Sequence, residues 1–231
     1  MEQQFLFDED EYRPRINVAK KDTESYEQFV AKFDKSAAKT TDDCYTPQPV
    51  YEAVLGWLRE RVNLEGRAIV RPFYPGGDYK DEVYPENCVV VDNPPFSILS
   101  RIVRWYLAAG IDFFLFAPHL TLLATAFDSD ITYCFTATHI VYHNGASVNT
   151  GFVSNLFPGV RVLLSGTLRT KIEQAQGIQR STKRTVVDLP RTVLPSARWG
   201  KFITDTDFEV PASDFTPIRK WRGYALFGGG G

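Results

Sequence analysis

The run Asp92-Asn93-Pro94-Pro95-Phe96 brings together the groups needed to hold and activate an exocyclic amine. The side-chain oxygen of Asn93 and the carbonyl of Pro94 can both accept hydrogen bonds from one amine. Two such bonds draw the amine out of conjugation with its ring and free its lone pair for attack on a sulfonium methyl group. Phe96, which closes the run, can stack on the planar group that bears the amine. The two prolines fix their own backbone angles and turn the preceding residues away from helix, so the loop is stiff. The plain alternative is a rigid turn in which the asparagine satisfies only nearby backbone.

Such a loop works only when a frame presents it. Residues 88–91 (Cys-Val-Val-Val) read as a buried strand, because four apolar, mostly β-branched residues in a row suit a parallel sheet covered on both faces. Ser97 is expected to cap a helix with the stripe Ile98, Leu99, Ile102, Val103, Tyr106 and Leu107, ended by Gly110. The loop would then lie at the carboxyl end of a parallel strand, where α/β folds place their ligands.

Upstream, Thr46-Pro47 predicts a helix start with a hydroxyl cap, and Val50, Val54, Leu55 and Leu58 give its apolar stripe to about Val62. Residues 68–70 read as a short buried strand, followed by a turn over Arg71-Pro72-Phe73-Tyr74-Pro75-Gly76-Gly77. Downstream, residues 113–116 form a further buried strand stopped by Pro118, with a short helix over about 120–127. Residues 131–142 and 147–157 are joined by Asn144-Gly145, a strong hairpin signal, and 160–164 add a strand. The class predicted is α/β: a mostly parallel sheet, reduced in strand number, with an antiparallel hairpin at one edge. Three regions follow: an arm and helix over 1–43 (the helix near 23–35), a core over 44–168, and an irregular basic extension over 169–231 that closes on four glycines.

Composition narrows the classes. A 44% hydrophobic and 14% aromatic content fills a real core, and the net charge of −2 leaves partner choice to local patches. Residues 1–43 hold eleven acids against seven bases, whereas 169–201 hold eight bases against two acids. Cys44, Cys88 and Cys134 are scattered and odd in number, which speaks against a disulfide frame or zinc knuckle and for a reducing cytoplasm. No apolar run approaches the ~20 residues of a membrane span. His139 and His143 share a strand face at a spacing of about 13 Å, too far for one metal, so packing in the hairpin is expected. Phe152 is a core aromatic first and a base-stacking ring second.

The segment Asp-Asn-Pro-Pro-Phe-Ser resembles the catalytic loop of DNA adenine-N6 methyltransferases of restriction–modification systems and phages. Tyr45-Thr46-Pro47 and the Pro72-to-Gly77 turn are similar in position to that family's cofactor-binding segments, and the downstream strand and hairpin match its sheet end. The resemblance spans about residues 44–157. It implies a methyltransferase sheet of Rossmann type and S-adenosylmethionine as cofactor, with no metal. It also implies a flipped adenine held by Asn93, Pro94, Pro95 and Phe96. Cofactor contacts would come from Tyr45, Thr46, Pro47, Pro72, Phe73, Gly76, Gly77 and Asp92.

Two departures shorten the cofactor half. Arg71 and Pro72 stand where the family places an acid, and only ten residues separate Gly77 from Cys88, too few for the usual helix–strand unit. Asp78, Asp81 and Glu82 are the acids in that gap. The alternative is therefore a degenerate methyltransferase-like module that binds nucleic acid or protein without cofactor. A further one keeps the enzyme with a glutamine amide as acceptor. Arg180, Lys183, Arg184, Arg191 and Arg198 are the candidate phosphate contacts; a solvated surface is the plain reading of the same charges.

Overall fold

The computed structural model describes residues 46–73, 79–126, 129–143, 145–178, 199–200 and 202–215, with main chain alone at 220–221 and 224–225. The expected helix near 23–35, Tyr45, Gly76, Gly77, Asn144, the five basic candidates from Arg180 to Arg198 and the glycine tail lie outside these residues.

The chain is α/β with a mixed seven-stranded sheet. Its elements are α1 (Gln48–Arg61), β1 (Ile69–Val70), β2 (Val89–Asp92), α2 (Leu99–Ala109), β3 (Asp112–Pro118), β4 (Thr132–Val141), β5 (Ser147–Ser154), β6 (Val160–Ser165), α3 (Gly166–Ala175) and β7 (Asp207–Pro211). A two-residue pair, β8 (Lys220–Trp221) and β9 (Tyr224–Ala225), forms a separate ribbon. The strand order is β1-β2-β3-β5-β4-β6-β7. Five strands run in one direction; β5 and β7 oppose them.

The hairpin departs from its expected place. It lies inside the sheet, not at its edge, because β5 is inserted between β3 and β4 and pairs antiparallel with both. That position needs a strand buried on both faces, and Gly151, Phe152, Val153 and Ser154 supply it. At the opposite end, β1 is half-buried and two residues long, since it is the sheet's outer strand among the described residues.

Strand alternation sorts the core into two clusters, one on each face of the sheet. Val90, Phe113, Leu115 and Tyr133 pack with Ile102, Val103 and Tyr106 of α2. Val89, Val91, Phe114, Cys134 and Phe152 pack with Val50, Trp57 and Leu58 of α1 and Leu168 and Ile172 of α3. Phe152 is a core aromatic, with its ring stacked on Phe114 at 4.8 Å between centroids. Cys88 and Cys134 are free and buried, and burial pushes both thiols up from their ordinary range.

The caps depart from expectation more than the helices. Gly110 ends α2 in the left-handed region as predicted, at φ 67°. Ser97 does not cap α2: the helix is entered through a 3-10 turn over Phe96–Ile98, and Ile98 holds the cap position without a side-chain bond. Extended Pro95 forces this tight entry, closed by the Ile98 amide donating to the Pro95 carbonyl at 3.3 Å. Thr46 likewise makes no capping bond, since Pro47 occupies the cap of α1. The segment after β3 is a 3-10 helix over His119–Ala124.

The expected boundary at 168/169 falls inside α3, and β7 adds a strand from the region read as irregular. Ser165 caps α3 by accepting from the Leu168 amide at 3.1 Å, and Leu168, Ile172 and Ala175 give its stripe. Arg169 is an internal tie, with its guanidinium donating to the carbonyls of Ile203 and Thr204 at 3.1 Å each. Gly166 is the point of closest approach: a β-carbon there would land on the Thr204 carbonyl oxygen. Gly166→Ala is expected to cost roughly 1–3 kcal/mol by overpacking, read as a lower midpoint in thermal denaturation.

Candidate active site

Asp92 ends β2, and its carboxylate, 3% exposed for the residue as a whole, turns inward. One oxygen accepts from the Phe73 amide at 2.8 Å and the other from the Asn93 amide at 2.9 Å. The Arg71 guanidinium approaches the second oxygen at 3.7 Å. A single buried carboxylate thus ties the turn after β1 to the loop after β2. Burial raises its pKa above the usual carboxylate value, while the two amides and Arg71 pull the other way.

The sign of that shift has a consequence for stability. A carboxyl group whose folded pKa is raised favours the fold fully below its unfolded value of about 4. That contribution is lost as pH rises through the folded pKa. Asp92→Asn removes this titration. Denaturant midpoints across acidic to neutral pH are therefore expected to fall in the wild type relative to the variant as pH rises through that window.

Between Asp92 and α2 lie Asn93, partly buried, Pro94, buried, and Pro95 and Phe96, partly buried. Phe96 packs one side against the α1-face cluster. The loop lies at the carboxyl edge shared by β1, β2 and β3, beside the turn that carries Pro72 and Phe73.

Helix α1 closes the same corner. The Arg71 guanidinium sits 3.7 Å over the Tyr51 ring, and burial pushes the Tyr51 hydroxyl up to about 12. The hydroxyls of Thr46 and Tyr51 are buried without a hydrogen-bond partner. So is that of Tyr79, whose ring lies 5.9 Å from Phe73 and edge-on to Trp105 of α2 at 5.4 Å. The described residues between Tyr79 and Cys88 form neither helix nor strand; Tyr84 fills the space by donating to the Tyr79 carbonyl at 2.6 Å and meeting the Tyr106 hydroxyl at 3.1 Å.

No family model, no curated protein and no solved structure matches this chain.

The structure therefore ties Phe73, Asp92 and Asn93 together, with Arg71 and Tyr51 beside them; Thr46 and Pro47 lead into the helix that carries Tyr51, Pro72 precedes Phe73, and Pro94, Pro95 and Phe96 continue the loop from Asn93. Asp92, expected to meet a cofactor, spends both oxygens on main-chain amides. Tyr51 and Tyr79 are the residues that sequence reasoning missed. Tyr51 lies four residues after Pro47, on the first turn of α1, and that spacing is the signal that points to it. His139 and His143 are exposed instead of packed in the hairpin. The His139 carbonyl accepts from Gln176 at 2.9 Å, and the Val141 amide donates to the same side chain at 2.9 Å. Among the described residues no helix is long and apolar enough to cross a membrane.

Proposed function

We propose that this chain transfers a methyl group from S-adenosylmethionine to the N6 amine of adenine in DNA, on a Rossmann-like methyltransferase sheet in the cytoplasm. The observation that carries this reading is the Asn-Pro-Pro-Phe loop, fixed at the carboxyl end of a fully buried parallel strand by Asp92.

In this reading the Asn93 side-chain oxygen and the Pro94 carbonyl accept from the adenine amine, and Phe96 stacks on the extruded base. The prolines and Asp92 hold these groups in place before substrate arrives, so most of the rate gain is positioning. When bound, S-adenosylmethionine supplies an electrophilic methyl on a positively charged sulfur. The donor set suits it. The buried, unbonded hydroxyls of Thr46 and Tyr51, with the Arg71 guanidinium, match the amino-acid end of the cofactor, and Phe73 with the Tyr79 hydroxyl matches its nucleoside end. The hairpin whose returning strand enters the sheet beside β3 supports the same family of folds.

A second reading is favoured by a specific feature: Arg71 replaces the family's acid, and Asp92 is consumed internally. That would leave a methyltransferase-like module that binds DNA or protein without cofactor. Calorimetry with S-adenosylmethionine separates the two. Micromolar binding, with labelled methyl transferred to unmethylated genomic DNA, is the expected result. Undetectable binding would sink the enzymatic reading and favour the module.

A further inference from the structure

Beside the loop after β2, the 3-10 segment His119–Ala124 forms a rigid projection at the carboxyl end of β3. Leu122 and Leu123 are buried beneath it in the α2-face core. The His119 ring is buried and edge-on to Phe135 at 5.0 Å. The far end is pinned three times: the Thr125 amide donates to the Leu122 carbonyl at 3.1 Å, the Tyr133 hydroxyl to the Thr125 carbonyl at 3.1 Å, and the Ala126 amide to Ser100 Oγ at 3.2 Å. Ser100 is the second residue of α2, so the projection is tied to the helix that follows the Asn93–Phe96 loop. Out of this anchored turn stands Leu120, 69% exposed. Arg101 is exposed on the first turn of α2, beside the Ser100 tie.

A single exposed leucine is unremarkable on a surface. Here it sits on a turn anchored by several hydrogen bonds, at the end of the strand next to the loop suited to an extruded base, and the helix that ties the turn's far end carries an exposed cation, Arg101. Extruding a base costs a few kcal/mol of stacking and pairing and leaves a gap in the duplex. Proteins that open base steps fill them with apolar wedges such as leucine. A wedge on a rigid turn loses little conformational entropy on insertion.

We propose that Leu120 is the wedge that occupies the duplex space vacated by the target adenine, with Arg101 contacting the flanking phosphate. This rests on the methyl-transfer reading above and goes beyond it by assigning the described surface that meets duplex DNA.

The test compares full-length wild type and Leu120→Ala on unmethylated genomic DNA, as duplex and after heat denaturation, with labelled S-adenosylmethionine. The expected result is a duplex-to-single-strand ratio of kcat/KM that falls about tenfold or more in the variant. Duplexes carrying an abasic site opposite each adenine should restore the variant toward wild type, since extrusion there is already cheap. Arg101→Ala should weaken binding to both DNA forms and lower the salt slope by about one. An unchanged ratio in Leu120→Ala, or wild type that labels only single strands, overturns the wedge while leaving methyl transfer standing. Wild type that labels neither form overturns the methyl-transfer reading and the wedge together.

Discussion

Asn93→Ala is expected to lower methyl transfer by at least ~100-fold, the scale on which a positioned hydrogen-bonding group acts in a reacting site. The fold should survive the change. The main-chain amide of residue 93 still donates to Asp92, both prolines remain, and β2 stays buried between β1 and β3. The effect should fall on kcat more than on cofactor affinity, because Asn93 is assigned to the acceptor amine. Labelled transfer with calorimetry on one preparation checks this. Unaltered kcat in a folded variant would remove Asn93 from its assigned role.

Asp92→Ala is expected to do the opposite and act on the fold. It leaves two part-buried main-chain donors, at Phe73 and Asn93, without their acceptor, each worth about 1–3 kcal/mol. It also leaves Arg71 facing Tyr51 without its carboxylate neighbour. The total is roughly 2–5 kcal/mol, a large part of the ~5–15 kcal/mol that holds a domain together. Denaturant titration reads it directly. A loss below about 1 kcal/mol would mean that the amides find other partners and that the two turns are not coupled through Asp92.

The two variants separate roles that adjacent residues play. Asp92 faces inward and fixes the loop; Asn93 is the residue that the proposed function assigns to the acceptor amine. The family resemblance assigns Asp92 to the cofactor and Asn93 to the acceptor, whereas the structure engages both Asp92 oxygens with main-chain amides.

What the chain's own order of residues determined is local. Cys-Val-Val-Val followed by Asn-Pro-Pro-Phe and an amphipathic stretch could only be a buried strand, a stiff loop and a helix, because β-branching, proline geometry and 3.6-residue spacing each act within a few residues. Gly110 as a left-handed terminator is legible for the same reason. The caps were misjudged at Thr46 and Ser97, where a neighbouring proline dictates the backbone and so removes the hydroxyl from its capping geometry. The stripe of Leu168, Ile172 and Ala175 was legible too, but the charge around it masked α3.

Tertiary structure alone decided the rest. That β5 returns into the sheet interior, that β7 closes its far side, and that Arg71 stacks on Tyr51 while Asp92 bridges Phe73 and Asn93 all depend on contacts between residues distant in sequence. Such contacts follow from how two apolar faces of one sheet are shared among the three α-helices of the described residues, which no window of neighbouring residues encodes.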